Sequence, residues 1–342
     1  MTELLKTLCS LDGVSGWEDE VRAFILERVR PVADEIRQDA LGNLLVFKKG
    51  RERGHGTLCL MAHMDEVGLL VSGVTDDGYL KVVCAGLDPR VLPGRAVRVG
   101  LDKLPGVIGL PCVHLSGAEE RKQAVPVSKL FVDIGAADKA AAEKLASPGD
   151  PIFLIGPPLE LGGGFLRAKA IDDRLGCAVL LKLLEEEQPR DCWYVFTARE
   201  EAGTRGAFGA AFSLRPDIAL IIEATTAADR PDIAEHKRVC APGRGVVLPF
   251  MDGGALYDRG LFEDLRGLCE EHGISWQTKE YIAGGNDASA VQRTAHGVRV
   301  AAVAAAVRYL HSPASVVQIS DVHDILRLTR LCLKQQKEKV WG

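Results

Sequence analysis

Five short segments of the chain carry His, Asp and Glu at a density suited to metal-dependent or acid–base chemistry, and four of them follow predicted strands. In open α/β sheets, ligands bind beyond the carboxyl ends of the strands. We therefore expect the five segments to meet at one crevice, although they lie far apart in the sequence. They are AHMDEVG (62–68), AIDDRLG (170–176), AREEAG (198–203), IIEATTAAD (221–229) and RYLHSP (308–313).

The first two segments place charged side chains directly after apolar runs. His63 and Asp65 are two residues apart at a strand end, so the carboxylate can orient the imidazole or a metal that it holds. Asp172 and Asp173 are adjacent carboxylates, and their repulsion and desolvation are costly without a cation. Two alternatives stay open: a purely structural His-x-Asp pair, and Asp173 capping the next helix while Asp172 pairs with Arg174.

The other segments add three carboxylates and a histidine. Glu200 and Glu201 follow the apolar strand WYVFTA, although a solvated glutamate pair is the ordinary interpretation of such a sequence. Glu223 terminates the apolar run 218–222, where a charge needs a partner. His311 follows a Tyr-Leu pair and would, in isolation, be interpreted as a hydrogen-bonded core histidine.

This set of side chains predicts a particular class of metal. Histidine together with carboxylate suits Zn²⁺ or Co²⁺ better than Mg²⁺, which prefers oxygen ligands. One ion needs only three protein ligands, whereas five ligands with one bridging would hold two ions about 3.5–4 Å apart, with an activated water between them. A further carboxylate would then serve as general base.

The surrounding pattern predicts an α/β protein with a mixed sheet and helices on both faces. Capping-box spacing at Ser15 and Glu18 predicts a helix over 17–30, and the apolar run 58–61 predicts a strand buried on both faces. Short Val-rich strands over 70–161 predict an inserted small β-barrel or sandwich, interrupted by a helix capped by Asp138. Residues 1–69 and 162–342 would form one discontinuous α/β domain, into which residues 70–161 are inserted.

Composition and charge exclude several classes of protein. Of the 342 residues, 47% are hydrophobic and 26% are charged, which is typical of a globular chain. A net charge of −5 argues against a nucleic-acid partner. Nine scattered cysteines predict reduced thiols. An acidic N-terminal segment and short apolar runs predict neither a signal peptide nor a membrane span, so we expect a cytoplasmic protein.

The chain resembles the glutamyl or deblocking aminopeptidases, a family of dinuclear metallo-aminopeptidases of TET type that are sometimes called cellulases or endoglucanases. The resemblance covers nearly the whole chain. It implies a zinc-peptidase, phosphorylase/hydrolase-like fold and a cytosolic homo-oligomer, either dimer-based or dodecameric. Residues 1–69 and 162–342 would then be the catalytic domain, and the insert 70–161 would mediate dimerisation or oligomerisation. The matching motifs are AHMDEVG, AIDDRLG, REEAGTRGA, GGNDASA and RYLHSP, with LDPRVLPG, GVIG, LFVDIGA and PGDPIFL in the insert.

The resemblance also implies a role for each ligand residue. His63 and Glu223 would bind one ion, Glu201 and His311 would bind the other, and Asp172 would bridge both. Two divalent ions per chain, zinc or cobalt, would then polarise the scissile carbonyl of a peptide with a free N-terminus.

Two catalytic roles and three departures complete the comparison. Glu200 would take a proton from the bridging water and deliver it to the leaving amine, and Asp65 would support His63. Glu223 replaces the more common Asp, Asn286 replaces the more common Thr, and the stretch before Arg308 is the bland VAAVAAAV.

A histidine of the insert and three rival functions complete the expectations. His114 matches a family histidine, and we expect it to reach the site of a neighbouring subunit. The rival functions are a deacetylase or other amidohydrolase on the same dinuclear centre, a non-catalytic oligomeric scaffold, and a glycosidase. A glycosidase would leave His63 and His311 unexplained, because glycoside hydrolysis relies on two carboxylates.

Overall fold

The computed structural model describes residues 1–52 and 56–335 and contains a large mixed sheet and a small closed barrel. In chain order the strands are β1 (Glu35–Gln38), β2 (Leu44–Lys48), β3 (Gly50–Glu52), β4 (Leu58–His63), β5 (Gly68–Val74), β6 (Leu80–Ala85), β7 (Ala96–Val99), β8 (Leu104–Gly109), β9 (Phe131–Asp133), β10 (Pro151–Leu154), β11 (Leu159–Glu160), β12 (Phe165–Ala168), β13 (Gln188–Arg190), β14 (Cys192–Thr197), β15 (Ile218–Thr226), β16 (Val246–Val247), β17 (Trp276–Gln277), β18 (Arg299–Arg308) and β19 (Ser315–Gln318).

Helices occur before, between and after these strands. The α-helices are α1 (Thr2–Ser10), α2 (Asp19–Val29), α3 (Lys139–Ala142), α4 (Ile171–Leu184), α5 (Arg205–Leu214), α6 (Arg259–His272), α7 (Ala288–Val291) and α8 (Ile319–Lys334). Short 3-10 helices span Pro89–Val91, Val113–Leu115, Glu120–Lys122, Val127–Lys129, Gly162–Gly164 and Glu235–Lys237. Within the described residues, every helix is too short or too polar to cross a lipid bilayer.

The large sheet has the order β1-β2-β14-β4-β15-β18-β19-β12-β11, with β16 and β17 joined beside β18. Its four central strands, β14, β4, β15 and β18, are parallel, whereas the flanking pairs are antiparallel. The register places Thr197 opposite His63 and Ile221 opposite Met61. The carboxyl ends of the central strands therefore meet at one edge of the sheet, as the sequence predicts.

Strand β4 shows why a continuous apolar run becomes a central strand. Its alternate residues Leu58, Leu60 and Ala62 pack into the core beneath α1, α2, α4, α6 and α8. Cys59 and Met61 point the other way, toward the core beneath α5 and α7. Because both faces are covered by helices, an alternating polar pattern is not needed. The predicted mixed sheet with helices on both faces is confirmed.

The predicted helix over 17–30 is present as α2, but its predicted capping box is wrong. Glu18, not Ser15, is the residue that precedes the helix, and no side chain caps its first turn. The Ser15 hydroxyl instead donates to Asp65, 2.5 Å away. In the insert, the Asp138 carboxylate does accept the N–H of Ala141, although α3 is only one turn long.

The inserted segment closes into a six-stranded barrel with the order β10-β5-β6-β9-β8-β7, because β10 pairs with both β5 and β7. Its own apolar core contains Leu69, Val97, Ile108, Val132 and Ile152. The barrel strands run from Gly68 to Leu154, whereas β11 already pairs with β12 of the large sheet. The division of the chain into domains and the role of the insert in assembly stay predictions.

Candidate metal centre

The centre of the site is Asp172, whose two carboxylate oxygens face two different histidines. Its Oδ1 lies 3.0 Å from His63 Nε2, and its Oδ2 lies 3.3 Å from His311 Nε2. His63 is the last residue of β4, Asp172 follows β12, and His311 lies three residues beyond β18. Three strands that end at the same edge of the sheet thus bring together residues that are almost 250 positions apart.

Two glutamates complete the cluster, one beside each histidine. Glu201 Oε1 is 3.1 Å from His311 Nε2, and Glu223 Oε1 is 3.5 Å from His63 Nε2. The side chain of Glu201 is 6% exposed and Glu200 is half-buried, so the alternative that Glu200 and Glu201 form a solvated pair does not hold. The prediction that the strand ends at Glu223 is wrong, because β15 continues its pairing with β18 through Thr226.

The neighbour of Asp172 has a different function in the fold. Asp173 is fully buried, and its oxygens accept the backbone N–H groups of His63, at 3.2 Å, and Gly176, at 3.0 Å. The alternative of helix capping therefore holds for Asp173. The alternative that Asp172 pairs with Arg174 does not hold, since Arg174 instead donates to the carbonyl of Met64, at 2.9 Å.

Asp65 forms a supporting layer behind His63. Its carboxylate accepts the backbone N–H groups of Glu200, at 2.9 Å, and Glu201, at 3.0 Å, together with the hydroxyl of Ser15. The Nδ1 atom of His63 lies 3.0 Å from the backbone carbonyl of Asp65 and 3.4 Å from its carboxylate. The ring is therefore oriented with Nε2 toward Asp172.

Non-glycine residues with left-handed backbone conformations occur beside this cluster. Ala170, Arg199 and His311 have φ values of 53°, 60° and 56°. The peptide bond between Asp172 and Asp173 is cis. Left-handed backbone at non-glycine residues is uncommon and is found preferentially at functional sites.

The electrostatics of the cluster show an excess of buried negative charge. Burial opposes protonation of His311, yet Asp172 and Glu201 raise its pKa to about 11. Burial raises the pKa of Glu223 to about 8, an effect that the charge of His63 partly offsets. Burial likewise raises the pKa of Glu200 well above its usual value. Protons or divalent cations must balance this charge, and imidazole with carboxylate is a donor set that binds zinc-type ions.

These side chains line a cavity of about 190 Å³ at the carboxyl edge of the sheet. Six of the seven predicted site residues contribute to its wall, and Asp65 lies behind it: the six are His63, Asp172, Glu200, Glu201, Glu223 and His311. A larger and more open hollow of about 730 Å³ includes Asp217 and Val300, at the amino ends of β15 and β18. It therefore lies at the opposite edge of the sheet, away from the cluster.

Three further residues in or beside the site have no role predicted from the sequence, although Asn286 is a departure from the family pattern. Lys279 and Asn286 line the same cavity, and Asn286 donates to the hydroxyl of Tyr257, 3.0 Å away. The carboxylate of Asp287 is buried and accepts the hydroxyl of Thr197 at 2.6 Å. Only the motif GGNDASA gave a signal for Asn286 and Asp287; no local pattern distinguishes Lys279 from a surface lysine.

Comparisons with known proteins identify relatives that cover nearly the whole chain. A relative in Acetivibrio thermocellus that is described as an aminopeptidase is 34% identical over 96% of this chain and 97% of that one. The glutamyl aminopeptidase of Lactococcus lactis is 31% identical over 93% of this chain and 91% of its own length.

Two solved structures share the whole fold. An aminopeptidase from the archaeon Desulfurococcus kamchatkensis has a TM-score of 0.93 at 32% identity, with 99% of this chain and 97% of that chain covered. The TET1 peptidase of Pyrococcus horikoshii, which can assemble into a tetrahedron or a large octahedral shell, has a TM-score of 0.85 at 32% identity, with 97% and 98% covered.

The decisive comparison is with a family model. The model described as M42 glutamyl aminopeptidase matches residues 42–328, which include the large sheet from β2 onward, the barrel and every residue of the cluster. The chain therefore belongs to the M42 glutamyl aminopeptidase family, and it is a metal-dependent aminopeptidase.

Proposed function

We propose that this aminopeptidase removes single N-terminal residues from short peptides and that it uses two divalent ions per chain, zinc or cobalt. The observation that carries the proposal is the position of Asp172. Its two oxygens face separate histidines, at 3.0 and 3.3 Å, so one carboxylate is placed to serve two ions. A single-ion site would not need a second histidine on the far side of that carboxylate.

The ligands divide into two sets that share Asp172. One set is His63, Asp172 and Glu223, and the other is Asp172, Glu201 and His311. Geometry alone also groups Asp173 with His63 and Glu223, but both Asp173 oxygens already accept backbone N–H groups. We therefore assign Asp173 to the support of the strand end and not to an ion.

Bound divalent ions would supply polarisation of the scissile carbonyl and a lowered pKa for a nearby water. Glu200 lines the cavity without belonging to either ligand set, which suits a general base. It would take the proton of the attacking water and later deliver it to the departing amine. Asp65 would hold Glu200 in place through the backbone N–H of that residue.

The carboxylate of Glu223 would also recognise the free α-amine of the substrate. Glu223 is buried in the cavity wall, with a side chain 7% exposed, and can accept hydrogen bonds from an ammonium group. A blocked N-terminus would leave this carboxylate without a donor, which disfavours the amidohydrolase alternative. A scaffold without activity would not need both ligand sets, and a glycosidase would not need the two histidines.

The assembly of the chain is also proposed. Solved relatives form a dodecamer, and one of them a tetrahedron or an octahedral shell. We infer that this chain is a homo-oligomer in the cytoplasm and that the barrel supplies part of its contact surface. His114 lies exposed in the 3-10 helix Val113–Leu115 of the insert, as expected of a residue that reaches a neighbouring subunit. If His114→Ala changed neither activity nor assembly, that role would be withdrawn.

The test combines metal content with substrate chemistry. After reconstitution with zinc or cobalt, ions per chain are counted, and hydrolysis of aminoacyl-p-nitroanilides is measured with and without an N-acetyl block. We expect about two ions per chain and cleavage of unblocked substrates only. Glu200→Gln should keep its ions and lose about 10²–10⁴-fold in kcat, the usual contribution of a general base.

A matched control is available on the surface. Glu185 is an exposed glutamate at the end of α4, and Glu185→Gln should keep full activity. Fewer than two ions at saturation would refute the dinuclear centre. Faster cleavage of the N-acetylated substrates would instead establish the amidohydrolase.

A further inference from the structure

The loop 198–201, which follows β14, presents four consecutive backbone N–H groups to side chains from distant parts of the chain. The acceptor is Asn43 for the first N–H, Glu18 for the second, and Asp65 for the third and fourth. The four distances are 2.8, 3.1, 2.9 and 3.0 Å. All three acceptor residues are buried. The loop that contains the proposed base, Glu200, is therefore fixed from outside by three side chains.

The carbonyl groups of this loop are bonded in a different way. Those of residues 198, 199 and 200 accept backbone N–H groups of residues 203–206, at 2.7–3.2 Å. The acceptors of the loop are thus satisfied by the next few residues, whereas its donors depend on distant side chains. Because buried backbone N–H groups must find acceptors, loss of one of these side chains should change the conformation of the loop.

Arg199 is the residue of the loop whose backbone has an uncommon conformation. Its φ of 60° lies in the left-handed region, which is disfavoured for a residue with a Cβ atom and persists only where the surroundings fix it. The acceptor for its N–H is Glu18. Because Glu200 follows directly, the backbone of Arg199 sets the direction in which the Glu200 side chain leaves the loop.

The contacts of Glu18 orient its carboxylate toward the loop. Glu18 directly precedes α2, but its side chain does not cap that helix. Its Oε1 atom accepts the N–H of Gly16 at 2.7 Å in addition to that of Arg199. Its Oε2 atom lies 3.4 Å from a guanidinium nitrogen of Arg22, and the side chain is 1% exposed. The acceptor for the loop is therefore held in place on both sides.

We propose that Glu18 is a positioning residue for Glu200. It holds the N–H of Arg199 and thereby keeps the carboxylate of Glu200 directed into the cavity, where the ions and the substrate would lie. Glu18 lies behind the loop and acts without touching the substrate. This inference rests on the proposed function, because it takes Glu200 as the general base.

Substitutions of Glu18 separate its acceptor atom from its charge. Glu18→Met keeps the length of the side chain and removes the acceptor, so the backbone should relax at Arg199. Misplacement of a reacting group by about 1 Å can cost about 10²-fold in rate, so we expect kcat on alanyl-p-nitroanilide to fall about 10- to 100-fold with KM unchanged. Glu18→Gln keeps the Oε1 acceptor and should retain most of kcat. Equal losses of kcat in Glu18→Gln and Glu18→Met would contradict the role of the acceptor.

Metal content and hydrogen exchange give readouts that do not depend on turnover. In Glu18→Met the carboxylate of Asp65 still accepts the N–H of Glu201, so this proposed ligand should stay in place. We expect Glu18→Met to bind as much zinc as the wild type, and its amides 198–201 to exchange faster. Loss of zinc in Glu18→Met would show that Glu18 supports the ions and not the base, and would overturn the proposal.

A double variant tests whether Glu18 acts through Glu200. Glu200→Gln removes the base, so the addition of Glu18→Met should lower kcat no further. An equal loss of kcat in the wild-type and Glu200→Gln backgrounds would show that Glu18 acts independently of Glu200, and the proposal would be wrong. A wild-type kcat in folded Glu18→Met would also overturn it.

A control for stability is available at the other end of α2. Val29 is fully buried, and Val29→Ala removes core contacts about 16 Å along the helix from Glu18. This variant should lower the melting temperature and leave kcat unchanged. If Val29→Ala lost as much kcat as Glu18→Met at a similar melting temperature, the loss would reflect general destabilisation, and Glu18 would have no positioning role.

The failure of this inference can be told apart from failure of the proposed function. Hydrolysis of alanyl-p-nitroanilide by the zinc-loaded wild type, and its loss in Glu200→Gln, establish the aminopeptidase and its base. If the wild type cleaves no unblocked substrate, or if Glu200→Gln keeps full kcat, the proposed function or its base falls, and this inference falls with it. If both results hold and Glu18→Met keeps the wild-type kcat, only the assignment of Glu18 falls.

Discussion

The carboxylate of Asp65 accepts the backbone N–H of Glu200 at 2.9 Å, which ties the end of β4 to the loop that follows β14. The same carboxylate accepts the N–H of Glu201 and lies 3.4 Å from Nδ1 of His63. The buried Asp65 carboxylate therefore positions Glu200, the proposed base. It also positions Glu201 and His63, which are proposed ligands of different ions. A change at Asp65 should disturb all three without touching the substrate.

Replacement of Asp65 by asparagine is expected to loosen this arrangement. An amide has one acceptor oxygen, so its NH₂ would face one of the two backbone donors that the carboxylate now satisfies. We expect ion affinity to fall about 10- to 100-fold, in line with other residues that support a metal ligand, and kcat to fall even at saturating metal. Titration with zinc followed by kinetics measures the ion affinity and kcat of Asp65→Asn. Unchanged values of both would contradict a supporting role for Asp65.

The adjacent residues Asp172 and Asp173 should respond in opposite ways to the same substitution. Asp172→Asn removes the shared ligand, so both ions should be lost while the fold persists. Asp173→Asn removes an acceptor of the buried His63 and Gly176 N–H groups and should cost about 1–3 kcal/mol of stability. Metal content and denaturant unfolding of the two variants distinguish these roles, and loss of both ions in a stable Asp173→Asn would reverse the assignment.

Elements with a strong local signal could be predicted from the sequence. The run Leu58–Met61 predicts a buried central strand, and the segments after such strands predict one shared edge, because parallel strands end together. The apolar run 218–222 stops before Glu223 and therefore predicts a strand end there. The pairing of β15 with β18 decides the true end, and that pairing is set between distant segments.

Residues whose function depends on distant partners could not be predicted. Ser15 has the spacing of a helix cap, in which its hydroxyl would accept a backbone N–H. Its hydroxyl instead donates to the carboxylate of Asp65, because a hydrogen bond to a charged group is stronger than one between neutral groups. Lys279 lies in a polar stretch of the sequence, yet it is 6% exposed and lines the cavity together with Glu223 and His311, which come from distant segments. Local pattern carries no information about such burial.

Removal of the metal ions should destabilise the protein. Without ions the buried carboxylates of Asp172, Glu201 and Glu223 repel one another, and protons are the remaining source of compensation. Ions that bind only the folded chain add RT ln(1 + [L]/Kd), about 2.7 kcal/mol at a hundredfold excess over Kd. Differential scanning calorimetry with a chelator and with added zinc should show a melting temperature that rises with zinc concentration. A melting temperature that is insensitive to both would contradict a folded-state metal site.

A second buried charge cluster links the barrel to the large sheet. Asp12, which is 2% exposed, accepts Nε of Arg98 on β7 at 2.8 Å and lies 3.3 Å from Nζ of Lys169. Lys169 in turn contacts Glu66, the neighbour of Asp65. Burial alone would raise the pKa of Asp12, but Arg98 and Lys169 together hold it below its usual value.

The lowered pKa of Asp12 predicts how stability changes with pH. A group whose pKa is lower in the folded state stabilises the fold above its unfolded pKa, about 3.9, and this contribution is lost as pH falls through the folded value. Asp12→Asn should therefore cost about 3 kcal/mol at pH 7, because Arg98, Lys103 and Lys169 lose a buried partner, and progressively less below about pH 4. Urea unfolding from pH 7 to pH 3 measures the loss of stability in Asp12→Asn at each pH. The control is Asp232→Asn, which removes one partner of an exposed ion pair with Arg230. A penalty for Asp12→Asn that stays constant down to pH 3 would show that the charge of Asp12 does not stabilise the junction between barrel and sheet.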